Sequence, residues 1–282
     1  MLDPMTKTFL FAFIIASMLA IGMQVDTKNL SKIFNEKKLL IKSLIANFVI
    51  IPLIGLILIK VISMKPELEV AFILLSCAPG GLSAIQFISK IKSELAYAGE
   101  IAFLLSTLSF FISPFIIAFF LPSGINFTIP YFKAFWFIVL FLLLPMIIGM
   151  WLYARYKNIA GKLAKPIGII GTLAFITFIV ITLEERQVAM KALDLEVLGL
   201  MILFVLSTMV IGWLMGGPKK GTRQILASAS SMRNAALALL IVTNAFPNMD
   251  YEVPVVAFSA LMVLPNMIFT IIMMIWNKYA AA

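Results

Sequence analysis

Histidine is absent from this chain of 282 residues, and cysteine occurs once, at Cys77. The first absence removes the commonest metal ligand and the side chain that most readily moves protons near neutral pH. The second rules out an internal disulfide and any cysteine cluster for a metal. Charge is scarce as well: Asp, Glu, Lys and Arg make up 12% of the residues, about half the share of a soluble domain. The apolar stretches hold no nucleophile–base pair and no metal-ligand cluster, so the residues point away from an enzyme, and no cofactor is expected.

Apolar residues are what the chain has in excess. They account for 62% of it, with a mean hydropathy of +1.09, against roughly 45–50% in soluble domains. This composition reads as an all-α polytopic membrane protein. At about 20 residues per span, nine helices are expected, at about 8–24, 38–63, 68–90, 94–121, 131–156, 164–184, 194–217, 222–246 and 253–277. The loops between them are short, so residues 1–282 read as a single transmembrane domain. The first apolar stretch follows Met1 almost directly and lacks a basic start and a small-residue cleavage site, which reads as a retained helix and not a signal peptide.

A net charge of +9 could suggest nucleic acid, but its distribution does not. With alternate loops assigned to one side, 15 of the 22 basic residues fall on one face and six on the other, with Arg233 left over. Cytoplasmic loops carry the Lys and Arg excess. The expected placement is therefore the cell (inner) membrane with the C-terminus cytoplasmic and, after nine spans, the N-terminus outside. The expected partner is the lipid bilayer, with no nucleic acid; the oligomeric state is left open.

Two apolar segments carry polar or helix-breaking residues in mid-span. One, about 68–90, contains Ser76-Cys77-Ala78-Pro79-Gly80-Gly81-Leu82-Ser83; the other, about 222–246, contains Ser230-Ser231-Met232-Arg233-Asn234. Proline removes a backbone donor and glycine makes unwinding cheap. Within a bilayer such a break survives only where protein or a water-filled cavity satisfies the freed backbone groups. The two broken spans, third and eighth of the nine, are offset by five positions, an odd number, and so run in opposite directions. That is the inverted-repeat plan of secondary transporters, whose substrates bind at interrupted helices.

These residues also resemble a known family. The run Gly22-Met23-Gln24-Val25-Asp26, the segment Asn47 to Pro52, the break Cys77 to Gly81 and the break Met232-Arg233-Asn234 are similar, in order, to the bile acid:sodium symporter family. The resemblance implies a core domain built on two crossing broken helices and a smaller panel domain. Members usually have ten helices, and this chain resembles one lacking the first. At the positions where members carry sodium ligands this chain has Ala84, Ile85, Ala98, Ala102, Ala229 and Arg233, and only Asn47 keeps an amide oxygen. Sodium needs several oxygen ligands and a methyl group offers none. The resemblance therefore implies a site without sodium.

Arg233 would place a permanent cation where relatives hold the ion. A charge in mid-membrane costs about 2.5–3.5 kcal/mol on the insertion scale and should face a partner or a cavity. Two roles are open. Arg233 attracts an anionic substrate, together with the exposed helix N-termini, or it is a structural staple held by unwound carbonyls near Pro79 and by Asn47 and Asn234. Glu100 is the only carboxylate well inside an expected span; it is either interfacial or a proton-coupling group.

The expected function is sodium-independent secondary transport of a small or amphipathic organic anion by alternating access. The expected substrate-binding residues are Arg233, Asn234, Asn47, Pro79, Gly80, Gly81, Ser83, Ser230 and Ser231. The alternatives are a proton-coupled transporter using Glu100 and a membrane receptor that binds a ligand without moving it.

Overall fold

The computed structural model describes residues 3–25, 36–80, 95–121, 135–185, 193–245 and 251–279, and every regular element among them is a helix. In chain order these are α1 (Pro4–Gly22), α2 (Lys37–Val61), α3 (Pro66–Cys77), α4 (Leu95–Phe120), α5 (Phe135–Arg155), α6 (Lys157–Glu185), α7 (Leu195–Met215), α8 (Lys220–Ser231), α9 (Ala235–Ala245), α10 (Glu252–Leu261) and α11 (Val263–Tyr279). Among the described residues eight spans are long and apolar enough to cross a membrane, α8–α9 and α10–α11 each counting as one. The remaining expected span, about 68–90, is represented by α3 and the turn as far as Gly80; its second half lies outside the described residues.

Prolines decide where the helices deviate. A proline lacks the N–H for its own turn, and its ring crowds the carbonyl four residues back. Pro52 and Pro145 each follow a stretch of wider π-helix, Ala46–Ile50 and Ile138–Leu143, that contains that carbonyl. Pro265 likewise lies four residues after Leu261, where the single span expected over 253–277 bends between α10 and α11. At α6 the expected start near 164 moves back to Lys157. Its first turns carry Lys157, Lys162 and Lys165, which hide them from a hydropathy reading, yet Ala160 and Ala164 are buried against Met23.

Helices α1, α5 and α6 pack on one another, and α2, α3, α4, α7, α8, α9 and α10 form a second group. In the first group glycine lets backbones touch: a Cβ on Gly22 would lie 2.9 Å from the Cα of Gly149 on α5. In the second, Phe72, Phe204 and Phe258 meet edge to face at 5.0–5.8 Å and tie α3, α7 and α10 together. The α8–α9 span is wholly buried over its apolar window, whereas the other spans are 28–44% buried over theirs. Protein surrounds it on all sides. The other spans turn Phe111, Phe115 and Phe119 of α4, or Ile169, Leu173 and Ile176 of α6, outward, as lipid-facing surfaces do.

Candidate functional site: the crossing of two interrupted helices

Both interruptions meet at one place. Asn234 N–H donates to the carbonyl of Ala78 at 2.8 Å, so the turn after α3 and the turn between α8 and α9 share a backbone hydrogen bond. Helices α3 and α8 thus bring their C-terminal ends together, each with unpaired carbonyls and the negative end of its dipole. Into that convergence projects the guanidinium of Arg233, 1% exposed. Its Nε donates to Leu75 O at 2.7 Å, one terminal nitrogen donates to Asn47 Oδ1 at 2.9 Å and Ser230 O at 3.1 Å, and the other donates to Ser76 O. Four of its five N–H donors are taken.

Asn47 is aimed by the π-helical stretch ahead of Pro52. Its Nδ2 donates to Ser43 O and to Ser230 Oγ, both at 3.0 Å, which leaves Oδ1 turned to Arg233. Ser231 Oγ is locked to Asn266 Oδ1 at 2.7 Å. Asn234, expected among the groups around the guanidinium, does something else: its Oδ1 accepts from Leu237 N–H at 3.0 Å and caps α9. An N-cap oxygen satisfies one of the free donors of a helix start. Besides Ser230 O of α8, the carbonyls that hold Arg233 are those of the last turn of α3, three and four residues before Pro79, because a helix leaves its final carbonyls free before the break itself.

Gly80 sits in the left-handed region, at φ +87°, which glycine adopts without a Cβ penalty. Ser106 Oγ on α4 donates to its carbonyl, and a Cβ added there would lie 2.7 Å from the Ser106 Cα. The glycine is therefore also the point where α4 reaches the break. Gly81 and Ser83 lie outside the described residues. Glu100 lies on α4, with its side chain likewise outside them.

Beside the crossing is a cavity of about 170 Å³, between the α1–α6 face and the start of α9 with α10. Phe13, Ser17, Ala20 and Gln24 contribute from α1 and the turn after it, and Thr172 and Phe175 from α6. Arg233, Asn234, Ala235 and Ala236 come from the crossing, and Ser259 and Met262 from α10 and the turn after it. Among the described residues lining it, Arg233 is the only charged one. Two of the lining residues carry a buried polar atom without a hydrogen-bond partner, Asn234 Nδ2 and Ser259 Oγ, each with almost no accessible surface. Of the residues expected at a binding site, the cavity takes Arg233 and Asn234; Asn47, Ser230 and Ser231 are buried and lie outside its lining. The α1 contributors were visible as a stripe, since 13, 17, 20 and 24 share one helical face. Ser259 carried no signal in the sequence.

A family model describing the sodium bile acid symporter family matches residues 11–192, more than half of the chain. The chain belongs to this family. It is thus a multi-pass membrane protein of a family of transporters. Comparison with curated proteins finds no match. The family match takes in the first break and ends before α8, so the kinship of the second break rests on its meeting with the first. At the family's acidic sodium position, Ala229 is buried in an apolar cluster with Leu39, Ile101, Leu105 and Leu226. Ala84 and Ile85 lie outside the described residues, as do the side chains of Ala98 and Ala102.

Proposed function

We propose that this family member carries a small organic anion across the membrane without sodium. Alternating access would come from motion of the α1–α5–α6 group against the group that holds the crossing. The observation that carries the reading is the cavity: a guanidinium and the N-terminal turn of α9 border it, both positive in character, with no acidic residue in the described lining. The carboxylate of a substrate would lie against the wall that Arg233 and Asn234 form. The guanidinium occupies the convergence of carbonyls that would otherwise attract a mobile cation.

Asn234→Asp tests the site directly. Aspartate caps a helix as well as asparagine does, so α9 keeps its start, while a neutral side chain in the cavity lining becomes an anion. A like charge at the cavity wall opposes a bound carboxylate, so anion affinity should fall at least about tenfold with the melting temperature little changed. Equal affinity in the folded variant would move the ligand elsewhere.

Replacing sodium by potassium or choline should alter neither anion binding nor uptake in reconstituted vesicles. Activation specific to sodium would refute the ion-free reading. In the proposed orientation the N-terminus is outside and the C-terminus cytoplasmic, and the cavity runs toward the exposed Gln24 on the basic, inner side. A cysteine introduced at Thr8 should label from outside and one at Tyr279 only from inside. Labelling of both from one face would require a different number of spans.

A further inference from the structure

The α8–α9 span is buried throughout its apolar window, so its ends are where lipid can reach it. Its first turn, on the basic side of the chain, meets the last turns of α7 and α11. Gln224 Nε2 donates to Asn277 Oδ1 at 3.2 Å and Asn277 Nδ2 donates back to Gln224 Oε1 at 3.4 Å, which ties α8 to α11. The turn from α7 is fixed as well. Thr222 Oγ1 donates to Gly216 O and Arg223 Nε to Gly217 O, both at 2.6 Å, and a Cβ on Gly216 would collide with the Arg223 Cα. Lys219 and Lys220 are therefore presented from a rigid base.

Two kinds of side chain gather at this corner. Lys219, Lys220, Arg223 and Lys278 are basic. Among the described residues their one ion pair joins Lys219 to Glu36 at 3.9 Å, with both side chains more than half exposed, a contact that neutralises little. The others are aromatic. Trp276 stacks on Trp213 at 6.1 Å, Trp213 meets Phe269 edge to face at 6.2 Å, and the Lys220 ammonium lies 3.9 Å from the centre of the Trp276 ring. Trp276 and Tyr279 stay exposed.

Each kind has a reason in the bilayer. Tryptophan and tyrosine sit at the level of the lipid headgroups, so Trp276 marks that level and holds Lys220 within it. Basic groups crowded on adjoining turns repel one another, and the first turn of α8 has no acidic residue to offset them. A cluster of about four to eight basic residues at the inner end of a span attracts anionic lipid, because the cytoplasmic leaflet is negative. Toward the acyl region the surface continues as the exposed Leu214 of α7 and Ile272 and Ile275 of α11.

We infer that this corner binds an anionic phospholipid: Lys220 and Lys278 take the headgroup phosphate, Trp276 lies against the glycerol, and the acyl chains run along Leu214, Ile272 and Ile275. The site is separate from the cavity and does not depend on what the chain transports. Its effect reaches the crossing through α8, a helix of 12 residues and so about 18 Å long. Lys220 stands at one end of it and the turn that carries Arg233 at the other, so a lipid that fixes the first end restrains the second.

The test is the melting temperature of the purified full chain in detergent, supplemented with phosphatidylglycerol or with phosphatidylcholine of the same acyl chains, each variant being compared with itself without lipid. In wild type, phosphatidylglycerol should raise it by about 2–4 °C more than phosphatidylcholine does. The double variant Lys220→Gln/Lys278→Gln should lose at least half of that gain. Lys162→Gln/Lys165→Gln, the same charge change on α6, should keep it, and so should Lys220→Arg, which preserves the cation. An equal gain for both lipids in wild type, a full gain in Lys220→Gln/Lys278→Gln, or a gain lost equally in the two double variants would overturn the site. Glycerol 3-phosphate alone should give no shift; one as large as that of the lipid would make the ligand a soluble phosphate and overturn the lipid reading.

Discussion

Arg233→Leu is expected to produce the largest loss of stability of any single change in the crossing. The leucine would leave the carbonyls of Leu75, Ser76 and Ser230 and the amide oxygen of Asn47 without their donor, all in a site that water does not reach. It would also leave two half-helix C-termini facing each other with no positive charge between them. An orphaned buried acceptor costs about 1–3 kcal/mol in soluble proteins, and hydrogen bonds between membrane helices average nearer 0.6; for four acceptors the loss is on the order of 2–5 kcal/mol. Melting temperature in detergent should fall in the order wild type, Arg233→Lys, Arg233→Gln, Arg233→Leu. Lysine keeps the charge but lacks the planar fork, and glutamine keeps one amide donor pair without charge. Anion affinity of the folded Arg233→Gln protein should also fall, by about tenfold, as the positive field at the cavity wall disappears. Unchanged affinity there, with the stability loss intact, would make Arg233 a staple alone.

Gly80→Leu should abolish transport while leaving insertion into the membrane intact. Two costs combine at this position. An L-residue at φ +87° loses about 1–2 kcal/mol to the clash of its Cβ with its own backbone. The new Cβ would also strike Ser106, including its backbone, and a helix backbone cannot rotate out of the way as a side chain would. Overpacking of this kind adds about 1–3 kcal/mol and would push α4 off the break and separate Ser106 from the Gly80 carbonyl. Gly80→Ala should show the same defect in milder form. Normal flux in Gly80→Leu vesicles would mean that α4 yields and that the approach of its backbone has no role in transport.

Much of this molecule was legible in the order of its residues, for reasons that can be named. The spans were readable because a bilayer imposes a length and an apolar composition on every helix that crosses it. Both breaks were readable because proline, glycine and a mid-span arginine are costly there without tertiary support. Misplaced boundaries arose where two forces compete. At α6 the lysines of the first turns lower hydropathy while the alanines between them pack.

By itself, then, the sequence determined that the chain is an all-α membrane protein with two interrupted spans and a cation in one of them. Hydropathy and backbone chemistry are local properties, legible residue by residue. It could not determine what the cation touches. Arg233 is 158 residues from Leu75 and 186 from Asn47 along the chain, and only packing decides that α3 and α8 end face to face around it. Nor could it separate the two asparagines of the crossing. Asn47 has both ends of its amide engaged, while Asn234 caps α9 with its oxygen and leaves its nitrogen buried without a partner. An amide has one oxygen and one nitrogen whatever its place in the chain; which of them finds a partner depends on neighbours that the fold brings in from elsewhere.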